Sequence, residues 1–387
     1  MSKLYMVKQI EDALFRLLRY IESENSRGYD PHDALNSPIL NQLALSSKWL
    51  RIAFTQVLRR MPINLRPLIG ISKEYNPKGM GLLLNAYANL YSVYGDERYS
   101  RQIRFLADWL ISNRCDGYSG HCWGYNFPWQ NRDAFRAKYA PTIVATTFIA
   151  NGFLDAYEVS GNDEYFRIAN SSCSFIMNDL NRTYEGDTFC WSYSPLDRSR
   201  VYNATMLGAK LLARVYSFTD ERELLHDAEK SLEFVLNHQN QDGSWFYGTL
   251  PCQQWIDSFH TGYNLECLYE FMKFSGSDAY QENLERGRQF YRRAFFLDDF
   301  TPKYYHDKIY PMDIHCPAQA IICSAKFGDV EFAEKIAFWT IENMQDSSGY
   351  FYYQKHRLYR NRISYMRWSQ AWMAYALSAL LTACGQT

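Results

Sequence analysis

The stretch Trp255-Ile-Asp-Ser-Phe-His-Thr-Gly-Tyr263 sets a carboxylate, an imidazole and a phenol at Asp257, His260 and Tyr263. At i, i+3 and i+6 of a helix the three fall near one face, within reach of a single ligand. Such a set does acid/base chemistry once burial moves its pKa values. The plainer alternative is an N-cap at Asp257 and a hydrogen-bonded core histidine at His260. Asp313 and His315 repeat the pairing further on, with the same alternative open at Asp313. Asp257 and Asp313 are also the one pair nominated for glycoside hydrolysis, which needs two carboxyl groups about 5 to 9.5 Å apart.

Both groups stand where a loop runs into an apolar helix, and the chain has six such places. Apolar segments start near Pro77, Pro141, Val201, Ser258, Ile314 and Ser364, a spacing of 50 to 64 residues, close to that of helical-pair repeats. The first five are each followed by a charged amphipathic segment after a turn: Tyr94-Gly-Asp-Glu, Ser160-Gly-Asn-Asp, Phe218-Thr-Asp-Glu, Ser275-Gly-Ser-Asp and Phe327-Gly-Asp. Gly supplies a left-handed C-cap and Asp or Asn the next N-cap. Segments such as Thr142 to Gly152 are apolar all round and predict inner helices. Segments such as Glu221 to Leu236 carry one apolar stripe and predict outer helices. Residues 3 to 24 form an outer-type helix with Leu4, Ile10, Leu14, Leu17, Leu18 and Ile21 on one face, and the last inner helix lacks a partner. Together these orphans predict a closed all-α (α/α)6 toroid over residues 1–387, a single domain whose N-terminal helix closes the ring. One basic helix is expected from about 41 to 60.

Parallel inner helices bring the preceding aromatic loops to one mouth. Those loops carry Trp123, Trp129, Trp191, Trp245, Tyr247 and Trp255, and the helix starts add Tyr139, Arg200, Tyr202, Arg362, Tyr365 and Arg367. Aromatics make up 17% of the chain, with 31 Tyr against 24 Phe, more hydroxyl-bearing rings than a dry core calls for. Flat faces with polar rims suit sugars. Six helix N-termini plus arginines favour an anionic group, so an acidic polysaccharide or oligosaccharide is the expected partner.

The formal net charge is -1, from 41 basic and 42 acidic residues, so the sum argues for neither nucleic acid nor a polybasic membrane face. No apolar run is long enough to span a bilayer. The nine cysteines are scattered with no Cys-x-x-Cys pair, which points to reduced thiols and a cytoplasmic protein. No metal set has ligand spacing, since the neighbours in His121-Cys122 and His315-Cys316 diverge. No phosphate-cradling loop, dinucleotide fingerprint or nucleophile elbow occurs, so no cofactor is expected.

At Asp242-Gly-Ser-Trp245, followed by Trp255 to Phe271, the chain resembles the six-hairpin (α/α)6 superfamily of carbohydrate-active proteins. In particular it is similar to toroids associated with cell-surface polysaccharide biosynthesis and, distantly, to the helical domain of D-glucuronyl C5-epimerases. The resemblance implies a glycan ligand and, in the epimerase case, tyrosine and carboxylate acid/base chemistry at C5 of a uronate, with Tyr263 and Tyr365 as the matching positions. Those epimerases carry β-structure ahead of the toroid, whereas here about 75 mostly helical residues precede the first regular pair. A non-catalytic glycan-binding or assembly protein is the competing class, for which an aromatic mouth suffices.

Overall fold

The computed structural model describes residues 3–44, 47–132 and 134–385, and the side chains of 3–5, Leu4 included, lie outside that description. The chain opens with α1 (Lys3–Ser23), which buries Ile10, Leu14, Leu17, Leu18 and Ile21. Where one helix was expected over 41 to 60, two form: α2 (Pro38–Leu43) and α3 (Lys48–Arg60). Ser37 starts the first and Ser47 the second, each accepting a backbone N–H as an N-cap.

Five helical pairs follow: α4 (Pro77–Tyr94) with α5 (Glu97–Ser112), α6 (Ile143–Ser160) with α7 (Asp163–Asp179), α8 (Tyr202–Thr219) with α9 (Arg222–Leu236), α10 (Ser258–Ser275) with α11 (Gln281–Phe295), and α12 (His315–Lys326) with α13 (Val330–Met344). A π-helical turn at Met366–Ala371 leads into α14 (Trp372–Gly385). Even-numbered helices from α4 to α14 pack each on the next, and α14 returns to α4, so the ring closes. On its outside, α1 packs on α14 and completes the sixth pair. The (α/α)6 toroid is therefore what the chain forms.

The first two turns work as expected, whereas at the fourth Tyr280 and not Asp278 is the N-cap residue of α11, and at the fifth Asp329 makes no side-chain cap bond. Gly95, Gly161 and Gly276 end inner helices in the left-handed region, while Asp96 and Asn162 cap the next helix with their side chains. The third turn has no glycine. Asp220 takes the left-handed position itself, at φ 62°, so Glu221 rather than Asp220 becomes the N-cap residue of α9. Inner helices approach closely through small residues: a Cβ on Gly81 would lie 2.7 Å from Ile149 Cγ1 and 3.0 Å from Ile149 Cα.

Short hairpins decorate the loops at the N-terminal ends of the inner helices. β1 (Trp129–Gln130) pairs with β2 (Phe135–Arg136), β3 (Arg182–Glu185) with β4 (Thr188–Trp191), and β5 (Met312–Asp313) with β6 (Gln354–Lys355), which also pairs with β7 (Arg360–Asn361). Toward the opposite end of the barrel the bore is filled by charge. Glu266 of α10 takes Lys210 of α8 at 3.0 Å and Lys326 of α12 at 2.8 Å, and Gln319 donates to its second oxygen. These pairs leave the N-terminal end as the open one.

Candidate functional site

A cavity of about 950 Å³ opens at the N-terminal ends of the inner helices. Lys78 of α4, Asn203 of α8, His260 and Tyr263 of α10, His315 of α12 and Arg367 of the π-turn all reach it. The loops contribute Tyr125, Trp129, Tyr247, Trp255, Tyr304 and Trp368, and α3 leans over one side with Ile52, Thr55, Gln56 and Arg59.

Asp257 is the N-cap of α10, and more than that. Its Oδ1 accepts the His260 backbone N–H at 3.0 Å, while Oδ2 lies 2.7 Å from His260 Nδ1 and accepts the Trp255 indole N–H at 3.0 Å. A carboxylate accepts, so His260 Nδ1 donates to Asp257, and the imidazole so held lines the cavity. The N-cap expected as the plainer alternative is present, and the same side chain also holds the His260 imidazole. Trp255 in turn stacks on Tyr247, with centroids 4.5 Å apart, and Tyr247 meets His260 edge-on.

On the next helix His315 is buried, and its Nε2 lies 2.5 Å from the Tyr263 hydroxyl. Burial and the charges of Lys78 and Arg367 push the imidazole well below its usual range, and burial pushes the Tyr263 phenol up. Both are therefore neutral near pH 7, and either the phenol or Nε2–H donates in this bond according to the imidazole tautomer. Nδ1 of His315 is buried and finds no hydrogen-bond partner among the described residues. A buried polar nitrogen left open in this way marks a functional or strained position.

Asp313 stands elsewhere. It is fully buried, does not line the cavity, and accepts from the His315 backbone at 3.0 Å, the Trp368 indole at 2.8 Å and the Gln354 amide at 2.7 Å. Burial raises its carboxyl above the usual range. Asp313 thus positions His315 and Trp368, and the expected Asp257–Asp313 pair facing one ligand does not form.

Two cations missing from the sequence reading dominate the floor and side wall. Lys78 is buried, with its ammonium over the rings of Phe148, Trp372 and Tyr263 at 4.1, 5.2 and 5.6 Å. It makes no ion pair among the described residues, and burial together with Arg367 pushes its pKa well down. Arg59 donates to the Tyr353 hydroxyl at 2.9 Å. Arg367, which the sequence did nominate, is locked bidentate onto Asp30 at 2.5 and 2.8 Å. Burial alone would raise the Asp30 carboxyl, but Arg367 holds it well below the usual range. His32 stacks beside Phe127, and burial takes its pKa down to about 4.

Of the nominated binding residues, Trp129, Tyr247, Trp255 and Arg367 line the cavity. Trp123, Trp191 and Trp245 do not: they are buried in the ring wall. The Trp123 and Trp245 indoles donate to the Leu110 and Val235 carbonyls of neighbouring outer helices. They wedge loops against helices, as the Asp242-Gly-Ser-Trp245 turn does by pressing Gly243 onto the Arg286 backbone. Tyr365 is buried against Tyr353, and Tyr202 lies against His238. Arg200 pairs with Glu185, while Tyr139 and Arg362 are exposed outside the cavity lining. Lys78 had a readable signal, a single charge in an otherwise apolar helix. Trp368 lay one residue past a nominated arginine, and His32 had none.

No protein-family model matches the chain, and no curated protein sequence matches it. Solved structures do. The cellobiose 2-epimerase of Bacillus thermoamylovorans superposes with a TM-score of 0.63 at 15% identity, covering 81% of this chain and 88% of that one. An unsaturated glucuronyl hydrolase specific for heparin gives 0.65 at 13% identity, covering 100% and 98%. A D-mannose isomerase gives 0.59 at 12% identity, covering 81% and 88%. At these identities the likeness establishes the six-hairpin (α/α)6 fold.

Proposed function

We propose that the protein is a carbohydrate-active enzyme that moves a proton on an acidic sugar, as a uronate epimerase acting on a polysaccharide or its precursor in cell-surface glycan biosynthesis. The observation that carries this reading is the His260 imidazole, held through Nδ1 by Asp257 on the wall of the cavity. An imidazole with its tautomer set by a carboxylate is a general base. The neutral Tyr263–His315 pair is a second proton carrier on the same cavity. Epimerisation needs both: one group takes the C5 proton, the electron pair moves into the sugar carboxylate, and another group returns a proton to the opposite face.

The anionic part rests on the wall. Its arginines are Arg59, Arg60, Arg132 and Arg367, its one carboxylate is Asp257, and of these arginines Arg367 alone has an ion-pair partner among the described residues. Unpaired cations in a partly dry cavity stabilise an enediolate far better than they would in water. The stacked Tyr247–Trp255 pair offers a face for a sugar ring. The similar structures include an epimerase and an isomerase, which fits the same chemistry.

Incubation of the purified protein with uronate-containing oligosaccharides in deuterated water tests the reading. Deuterium at C5 with inversion is the expected result. New reducing ends without exchange would replace it with hydrolysis, and binding with neither would leave a glycan-binding role.

A further inference from the structure

The charge of the chain is segregated in a way its sum conceals. Residues 34–73 contain no Asp or Glu but six basic residues, and residues 347–363 contain none but four. Together they hold a formal +10, so with a total of -1 the rest of the chain carries -11. The two segments are neighbours at the mouth: Arg59 bonds Tyr353, the Asn361 amide donates to the Met61 carbonyl, and Arg59, His356 and Tyr359 line the cavity together. Lys48, Arg51, Arg59, Arg60, Lys355, Arg357, Arg360 and Arg362 make no ion pair among the described residues.

The same two segments also expose apolar side chains. Trp49 is 66% exposed, Leu68 78% and Leu358, at the tip of the β6–β7 hairpin, 92%, and Ile39, Leu43, Val57 and Ile63 are each more than half exposed. On α3, at about 100° per residue, Trp49, Arg60, Ala53, Val57 and Leu50 fall within an arc of about 100°. Ile52, Thr55, Gln56 and Arg59, which line the cavity, occupy a separate arc. The helix thus turns one side to the cavity, which Arg60 also lines, and an apolar side to the outside.

We propose that this face docks on an anionic lipid bilayer, with α2, α3 and the β6–β7 tip lying in the interface and the cavity mouth turned toward it. Aliphatic and indole side chains flanked by Lys and Arg are what such a surface binds. A glycan alone would leave the aliphatic residues unused, and a second copy of this chain would set one positive face against another. A glycan anchored in that bilayer would enter the cavity from the membrane side. Docking is independent of the reaction assigned to the cavity.

Co-sedimentation of the full chain with vesicles decides it. Partition onto phosphatidylcholine mixed with phosphatidylglycerol should exceed that onto phosphatidylcholine alone at least about tenfold, and should weaken as salt rises. Trp49→Asp combined with Leu358→Asp should lower it about tenfold with circular dichroism and melting unchanged, since both side chains are exposed. Arg357→Glu with Arg360→Glu should do the same through charge. Equal partition onto both vesicles, or indifference to both double variants, overturns the proposal. So does a concentration-dependent dimer that the Trp49/Leu358 variant dissolves while vesicles stay unbound.

Discussion

Asp257 joins two jobs that substitution can separate. Asn keeps an acceptor for the helix cap but presents an amide where His260 Nδ1 needs a carboxylate. On the proposed reaction, Asp257→Asn should lower kcat by about 10² to 10⁴ with KM within a few-fold, since only the base is disabled. Steady-state kinetics with thermal melting as the folding control reads this. His32 gives a pH prediction. With a folded pKa of about 4 against an ordinary 6.5, the unfolded chain binds the extra proton between those values. Stability should therefore fall as pH drops from about 6.5 to about 4, by at most about 3 kcal/mol from this group. His32→Asn should flatten that slope in melts taken across the window. His260 and Tyr263 were legible as candidates because their spacing alone puts them near one another. The Tyr263–His315 bond joins two helices, and no spacing along the chain encodes it.

At the scale of elements, the inner helices are held by small residues and by the charges in the bore. Gly81→Ala would force its Cβ against the Ile149 backbone, 3.0 Å away, and should destabilise by about 1–3 kcal/mol, read as a lowered midpoint in urea. Glu266 joins α8, α10 and α12 through Lys210 and Lys326. Glu266→Leu leaves Lys210 and Lys326 with Glu270 as their remaining carboxylate, at 3.4 and 2.9 Å, and should cost about 1–3 kcal/mol. If calorimetry instead shows a melting temperature unchanged within a degree or so, the network is not what holds these helices together. The helices themselves were readable, because all-round apolarity and one-sided stripes follow from where each must pack. The loop tryptophans were not. An indole that wedges a loop, as Trp123 does, and one that lines a cavity, as Trp255 does, have the same local sequence signature, and only the neighbouring helix separates them.

Across the whole molecule, the positive mouth on a chain of near-zero net charge makes association salt-dependent. KM for an acidic oligosaccharide should rise several-fold between about 0.01 and 0.15 M salt, while a neutral analogue of the same length should not respond. Equal salt sensitivity of both would remove charge from the recognition. The ring's closure was implied by the two unmatched end helices, and α1 against α14 is that match. The sequence by itself determined the repeat, the inner and outer assignment, the turns and the sector where a carboxylate and an imidazole stand together, because each depends on residues within a few turns of one another. Tertiary structure alone decided that Asp313 backs the site instead of facing it, that Lys78 enters the cavity unpaired, and that two acid-free segments nearly 300 residues apart form one rim. Those outcomes depend on which side chains meet across the barrel, which is set by ring closure and packing and by no local pattern.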